Sequence, residues 1–178
     1  MLRRMGIHIL LAATLIVGGV ASCTSDTVTA PQAGARSSLL GFSNTPSLIT
    51  CPAPDSQSTT GIIGPLGGVL SAGNTSVLIP ANAVLDPTTF TLTVPSSKYV
   101  EIEVTANGGQ HYLFSQPVTV TIDYGRCGRS NIDFVPLSAW NIDPVTKALL
   151  EQEPSIDNKL TRTVTFTTIH FSGYAVAD

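Results

Sequence analysis

Short runs of alternating hydrophobic and polar positions fill the second two thirds of the chain. Over residues 89–94, Phe90, Leu92 and Val94 alternate with Thr89, Thr91 and Thr93; over 100–105, Val100, Ile102 and Val104 alternate with Glu101, Glu103 and Thr105. Over 117–124, Val118, Val120, Ile122 and Tyr124 oppose Thr119, Thr121 and Asp123; over 161–167, Val164 and Phe166 oppose Thr161, Thr163, Thr165 and Thr167. A period of two puts each set on one face of an extended strand. Threonine suits the wet face of a half-exposed antiparallel sheet, because its hydroxyl meets water while its branched stem fits the pleat. Gly67-Gly68, Ala72-Gly73-Asn74, Asp86-Pro87, Asn107-Gly108-Gly109, Gly125 and Asp143-Pro144 stand between the runs as turn or loop signals. No segment carries a helical stripe; residues 147–153 come nearest and are stopped by Pro154. The pattern predicts an all-β antiparallel sandwich or barrel over residues 47–178, large enough for its own core.

The first 46 residues read differently. Arg3 and Arg4 precede an apolar run from residue 7 to 20, shorter than the roughly 20 residues of a membrane span, and small residues precede Cys23. Residues 1–22 are therefore expected to be a signal peptide. Val20-Ala21-Ser22-Cys23 resembles a bacterial lipobox, which implies a diacylated Cys23 as the first mature residue, with two or three acyl chains for stable membrane attachment. Thr24 after that Cys is compatible, by the same resemblance, with sorting to the outer membrane or cell surface of a bacterial envelope. Residues 23–46, rich in Ser, Thr, Ala, Gly and Pro, read as a lipidated flexible tether.

Only 12% of the 178 residues are charged, and the net charge is −3. Loss of Arg3 and Arg4 would leave seven basic against twelve acidic residues, a net charge of −5. Nucleic-acid binding is not expected, because it needs a Lys/Arg-rich face to displace counterions from phosphates. With Cys23 assigned to lipid, Cys51 and Cys127 are left in a protein exported to an oxidising space, and one disulfide is predicted between them. No C-x-x-C spacing is present, so a zinc pair is not expected.

Three ordered blocks carry a family resemblance. Gly67-Gly68-Val69-Leu70, Val77-Leu78-Ile79-Pro80-Ala81-Asn82-Ala83-Val84 and Phe114-Ser115-Gln116-Pro117-Val118-Thr119-Val120 resemble the opening and middle of the ZU-five domain. This β-sandwich occurs in ankyrins, netrin receptors and zonula occludens proteins, and as ZU-five-like modules in bacterial lipoproteins. His170-Phe171-Ser172-Gly173-Tyr174-Ala175-Val176 is similar to its end. Asn82 departs from the glycine usual in the family, although Asn tolerates the left-handed backbone better than other non-glycine residues. Residues 125–130, with Cys127, lie outside the pattern and are expected to form a loop pinned to Cys51.

The resemblance implies a candidate reaction. Some ZU-five domains cut themselves between Phe and Ser at such a motif: Ser172 Oγ would attack the Phe171 carbonyl, His170 would take its proton, and water would resolve the ester. The competing expectation is a structural last strand, with Phe171 in the core and Ser172 on the opposite face. Cleavage would release only residues 172–178, so the first expectation is a non-enzymatic, lipid-anchored envelope protein. Its sandwich would bind an unidentified protein partner and would need no cofactor or metal. Self-cleavage and carbohydrate binding are the alternatives, the last disfavoured by one Trp and four Tyr.

The remaining candidates read as structural. His111 is expected in a solvated loop, Asp123, Asp133 and Asp143 at turns, and Glu101 with Glu103 on a wet face. Trp140, in the strand-like segment 137–142, is expected in the core, and the Asn74-Thr75-Ser76 sequon carries little force in a bacterium.

Overall fold

Strands form where the alternation places them, and further ones where it is silent. The computed structural model describes residues 45–109, 111–128 and 131–178, which belong to the compact unit Asn44–Asp178. The predicted signal peptide, Cys23 and most of the tether lie outside the described residues.

The strands are β1 Gln57–Ile63, β2 Gly68–Ala72, β3 Thr75–Ile79, β4 Thr88–Val94, β5 Glu101–Ala106, β6 Tyr112–Asp123, β7 Ser138–Ile142, β8 Leu149–Glu153, β9 Ser155–Asn158, β10 Thr163–Phe171 and β11 Gly173–Ala177. They build a six-stranded sheet, β1-β4-β5-β11-β7-β8, and a five-stranded sheet, β2-β3-β6-β10-β9. All neighbours are antiparallel. The two sheets pack face to face as an all-β sandwich, and the predicted alternation fills the space between them. Phe90, Leu92, Ile102 and Val104 meet Val118, Val120, Ile122, Val164 and Phe166, all buried. Turn chemistry agrees with the backbone: Asn82 sits at φ 65° and Asn107 at φ 50°. Gly67 (φ 74°) packs so closely that a Cβ would stand 2.4 Å from the Ile79 carbonyl oxygen.

Cys51 and Cys127 form the predicted disulfide, with Cα atoms 4.7 Å apart. It pins the entry segment onto the sandwich. Leu48 bridges Ala177, Thr50 bridges Tyr99, and the Ile49 N–H donates to the Val176 carbonyl at 3.1 Å. The Arg126 guanidinium, beside Cys127, donates to the carbonyls of Pro52 (2.6 Å) and Ser97 (2.9 Å). Segment 47–56 is thus domain rather than tether.

Residues 147–153, which carry no helical stripe, supply strand β8, Leu149–Glu153, paired with β7. Three expectations need correction. Glu101 is buried, with Lys147 Nζ 2.5 Å from its carboxylate, because the turn after β7 folds over that face. Trp140 pairs with Ala175 and points away from the core; its β7 neighbours Ala139 and Asn141 take the inner face opposite Val176 and Tyr174. Finally, His170-Phe171-Ser172 is not the last strand, as the site geometry makes clear.

Candidate functional site

The motif lies where the chain leaves one sheet for the other. Phe171 ends β10, Gly173 begins β11, and Ser172 is the crossing residue, itself buried. The approach to the corner is irregular: Thr168 faces Val118 of β6, yet His170 faces Leu113. Residues 114–117 of β6 therefore oppose Ile169 alone, a bulge of the kind that re-aims side chains beside sites. The Thr168 hydroxyl closes the kink by donating to the His170 carbonyl at 3.2 Å.

Tyr174, fully buried, ties the corner together. Its hydroxyl donates to the His170 carbonyl at 2.6 Å and lies 3.1 Å from both His170 Nδ1 and Thr168 Oγ1. Burial pushes this phenol up to about 12; the carboxylates of Glu153 and Glu151 add to the rise, while the Thr168 and Ser172 hydroxyls oppose it. The Ser172 hydroxyl donates to the Gly173 carbonyl at 3.3 Å. In this geometry the hydroxyl addresses the peptide after Ser172, and His170 Nδ1 faces Tyr174.

Glu153 of β8 faces the same interior, since it pairs with the inner-face residue Ala139. It is 8% exposed, and its Oε1 has no hydrogen-bond partner. Burial raises its carboxyl above the ordinary value, and His170 opposes the rise. A group whose folded value is raised stabilises the fold fully below its unfolded value, near 4.3, and loses that contribution as pH rises through the folded value. Glu153→Gln, neutral at every pH, is therefore expected to raise the urea midpoint at pH 7 and to leave it nearly unchanged at pH 4. Equal midpoint shifts at the two pH values would contradict this reading.

Beside the corner opens a cleft of about 890 Å3. Its walls come from the start of β6 (Tyr112, Leu113), the end of β7 and the following turn (Asn141, Ile142, Asp143, Pro144, Val145), Leu150 of β8 and the crossing itself, with His111 at the edge. The fold thus brings His111, Asp143, His170, Phe171 and Ser172 together. It keeps the other candidates apart. Asp123 accepts the Gly125 N–H at 3.1 Å, and Asp133 pairs with Arg162 at 3.3 Å. Asp143 accepts the Val145 and Thr146 N–H groups at 2.8 and 2.7 Å, which hold its carboxyl below the usual range. Among the described residues no three His, Cys, Asp or Glu side chains converge as a metal site.

Asn141, Glu153 and Tyr174 escaped the sequence reading. Tyr174 alternates with its neighbours as any core residue does, and nothing in Leu149–Glu153 marks one acid as buried. Scanned against protein-family models the chain matches none, and no curated protein matches it.

Proposed function

We propose that this chain is a lipid-anchored bacterial envelope protein, ZU-five-like in its sandwich, that works as a non-enzymatic binding module. One observation carries the reading: the sandwich has two different poles. The chain enters at one pole, where the Ser47 N–H and hydroxyl donate to the Asp178 carboxylate at 2.9 and 3.0 Å. The cleft lies at the other, where β11 begins at Gly173. Five extended residues put roughly 14 Å of strand between these points, and the disulfide lies at the entry pole, beyond the far end of β6. An anchor on Cys23 would then attach the domain through the tether at its entry pole and leave the cleft, at the other pole, free for a partner.

Labelled palmitate is expected to enter the full chain expressed in a bacterium and to be absent from Cys23→Ser. Equal labelling of the two would remove the anchor from this reading.

Self-cleavage is the second reading, favoured by the Tyr174 hydroxyl, which joins His170 to the surroundings of Ser172. Intact mass under denaturing conditions separates the readings. The binding module predicts an uncut chain, identical in wild type and Ser172→Ala apart from one oxygen. Loss of residues 172–178 in wild type alone would make the corner an active site.

A further inference from the structure

We propose that β1 is a self-association edge, through which two copies of this chain pair antiparallel about a two-fold axis at Thr60 and join their six-stranded sheets into one. Each sheet of the sandwich ends in two edge strands, β1 and β8 in one, β2 and β9 in the other. An open edge is a template for another strand, and proteins blunt it with charge, proline, bulges, short length or a cover. Three of the four edges carry such a device. β8 holds Glu151 and Glu153 and stops at Pro154. β9, Ser155–Asn158, is four residues long and carries Asp157. β2 is covered by its neighbour, since the Thr59 hydroxyl donates to the Ser71 carbonyl at 2.6 Å. β1 has none of them. Gln57–Ile63 is seven residues long, uncharged and free of proline, and it pairs with β4 in one unbroken register from Gln57 to Ile63.

The ladder also fixes which main-chain groups of β1 point outward. The Asn107 N–H donates to the Thr89 carbonyl at 2.7 Å, so Thr89, Thr91 and Thr93 turn their main chain toward β5, and Phe90, Leu92 and Val94 turn theirs toward β1. Their partners Gln57, Thr59 and Gly61 are thereby bonded, while Ser58, Thr60 and Ile62 turn N–H and C=O away from β4. Among the described residues no main-chain group meets them. The side chains leave the edge open as well. The Ser58 and Thr60 hydroxyls lean back onto those of Thr93 and Thr91, at 3.1 and 2.9 Å, and Ile62 is 74% exposed. A two-fold contact must be self-complementary, and β1 meets that demand. An antiparallel register centred on Thr60 sets Thr60 against Thr60, and Ser58 against Ile62 of the second copy. All three outward residues then exchange both hydrogen bonds, and no charge meets its like. A contact one strand long falls below the standard interface size, so the association depends on concentration.

Single-cysteine variants test the register in the purified full chain carrying Cys23→Ser, in neutral detergent, where neither lipid nor a thiol at residue 23 links the copies. With a short bifunctional thiol reagent, Thr60→Cys is expected to give a covalent dimer, because hydrogen-bonded partners stand about 5.5 Å apart between Cα atoms. A mixture of Ser58→Cys and Ile62→Cys is expected to cross-link as well. Ser58→Cys alone is not, since its two copies would lie about 14 Å apart along the strands. Ile156→Cys, 73% exposed on the edge strand β9, reads random collision and is expected to yield at least ten-fold less dimer. Thr60→Pro removes the central outward N–H and no bond to β4, and is expected to cut the yield of the mixture at least ten-fold, whereas Thr60→Val keeps it. Equal yields at Thr60→Cys and Ile156→Cys would overturn the proposal. Slow deuterium exchange of the Thr60 and Ile62 amides at every dilution would also overturn it, and would give the edge to a segment of the same chain. Fast exchange at every concentration, with no cross-link, would leave the edge to a strand from a different protein. None of these outcomes bears on the anchor or the motif, which the palmitate and intact-mass measurements decide.

Discussion

Phe171→Ala is expected to lower the unfolding free energy by about 3–5 kcal/mol, the range for removing a fully buried aromatic side chain. Phe171 has no exposed surface. Its ring stands edge-on to Phe114 at 4.5 Å and to Phe90 at 5.7 Å, and Phe90 in turn packs against Tyr112 at 5.0 Å. The cluster draws on β4, β6 and β10, so it closes the sandwich from both sheets beneath the cleft. Truncation leaves a hole that strands cannot close without shifting register, because a slip of one residue would turn every inward side chain outward. Urea unfolding followed by tryptophan fluorescence reads the change, with Leu113→Ala, 77% exposed, as a control expected within about 0.5 kcal/mol of wild type. A loss below about 1 kcal/mol for Phe171→Ala would contradict the packing described. The same result bears on the motif: Phe171 is explained by the core alone, so Ser172→Ala is the variant that tests cleavage.

Removing the disulfide is the second large effect. Cys51 and Cys127 are 76 residues apart, and closing a loop of that size restricts the unfolded chain by roughly 4 kcal/mol in the chain-entropy model. Cys51→Ala/Cys127→Ala is expected to lose close to that amount in guanidinium unfolding, and reductant is expected to reproduce the loss in the wild type without affecting the variant. The folded-state contribution is local. The entry segment keeps its bridges to Tyr99 and Ala177 and its contacts with Arg126, so the variant should remain a sandwich. A loss under about 1 kcal/mol would place the stabilisation in those contacts rather than in the cross-link.

Strand existence and facing were legible wherever threonine alternates with a branched or aromatic residue, as in β4, β5, β6 and β10. Legibility stopped where pairing, not pattern, decides. Leu149–Glu153 has no alternation of its own and becomes a strand because β7 offers it a ladder. Trp140 and Asn141 are adjacent on one strand, and size favours Trp for the interior. The neighbour strand β11 decides otherwise, since Tyr174 already occupies the inner face opposite Asn141. Glu101 alternates as a wet residue and is dried by Lys147, which approaches from 46 residues away.

The sequence by itself determined the all-β class, the faces of the alternating strands, the turns at Asn82 and at Asn107-Gly108-Gly109, and the pairing of Cys51 with Cys127. Each rests on local backbone chemistry or on a count of thiols, neither of which needs the rest of the fold. The cleft and its polar chemistry belong to the tertiary structure. Its residues span positions 111 to 173, and they meet only because β10 kinks at Thr168, the chain changes sheets at Ser172, and β6, β7 and β8 end beside that crossing. No periodicity encodes such a meeting, because it is set by where strands stop and how two sheets are joined at a corner.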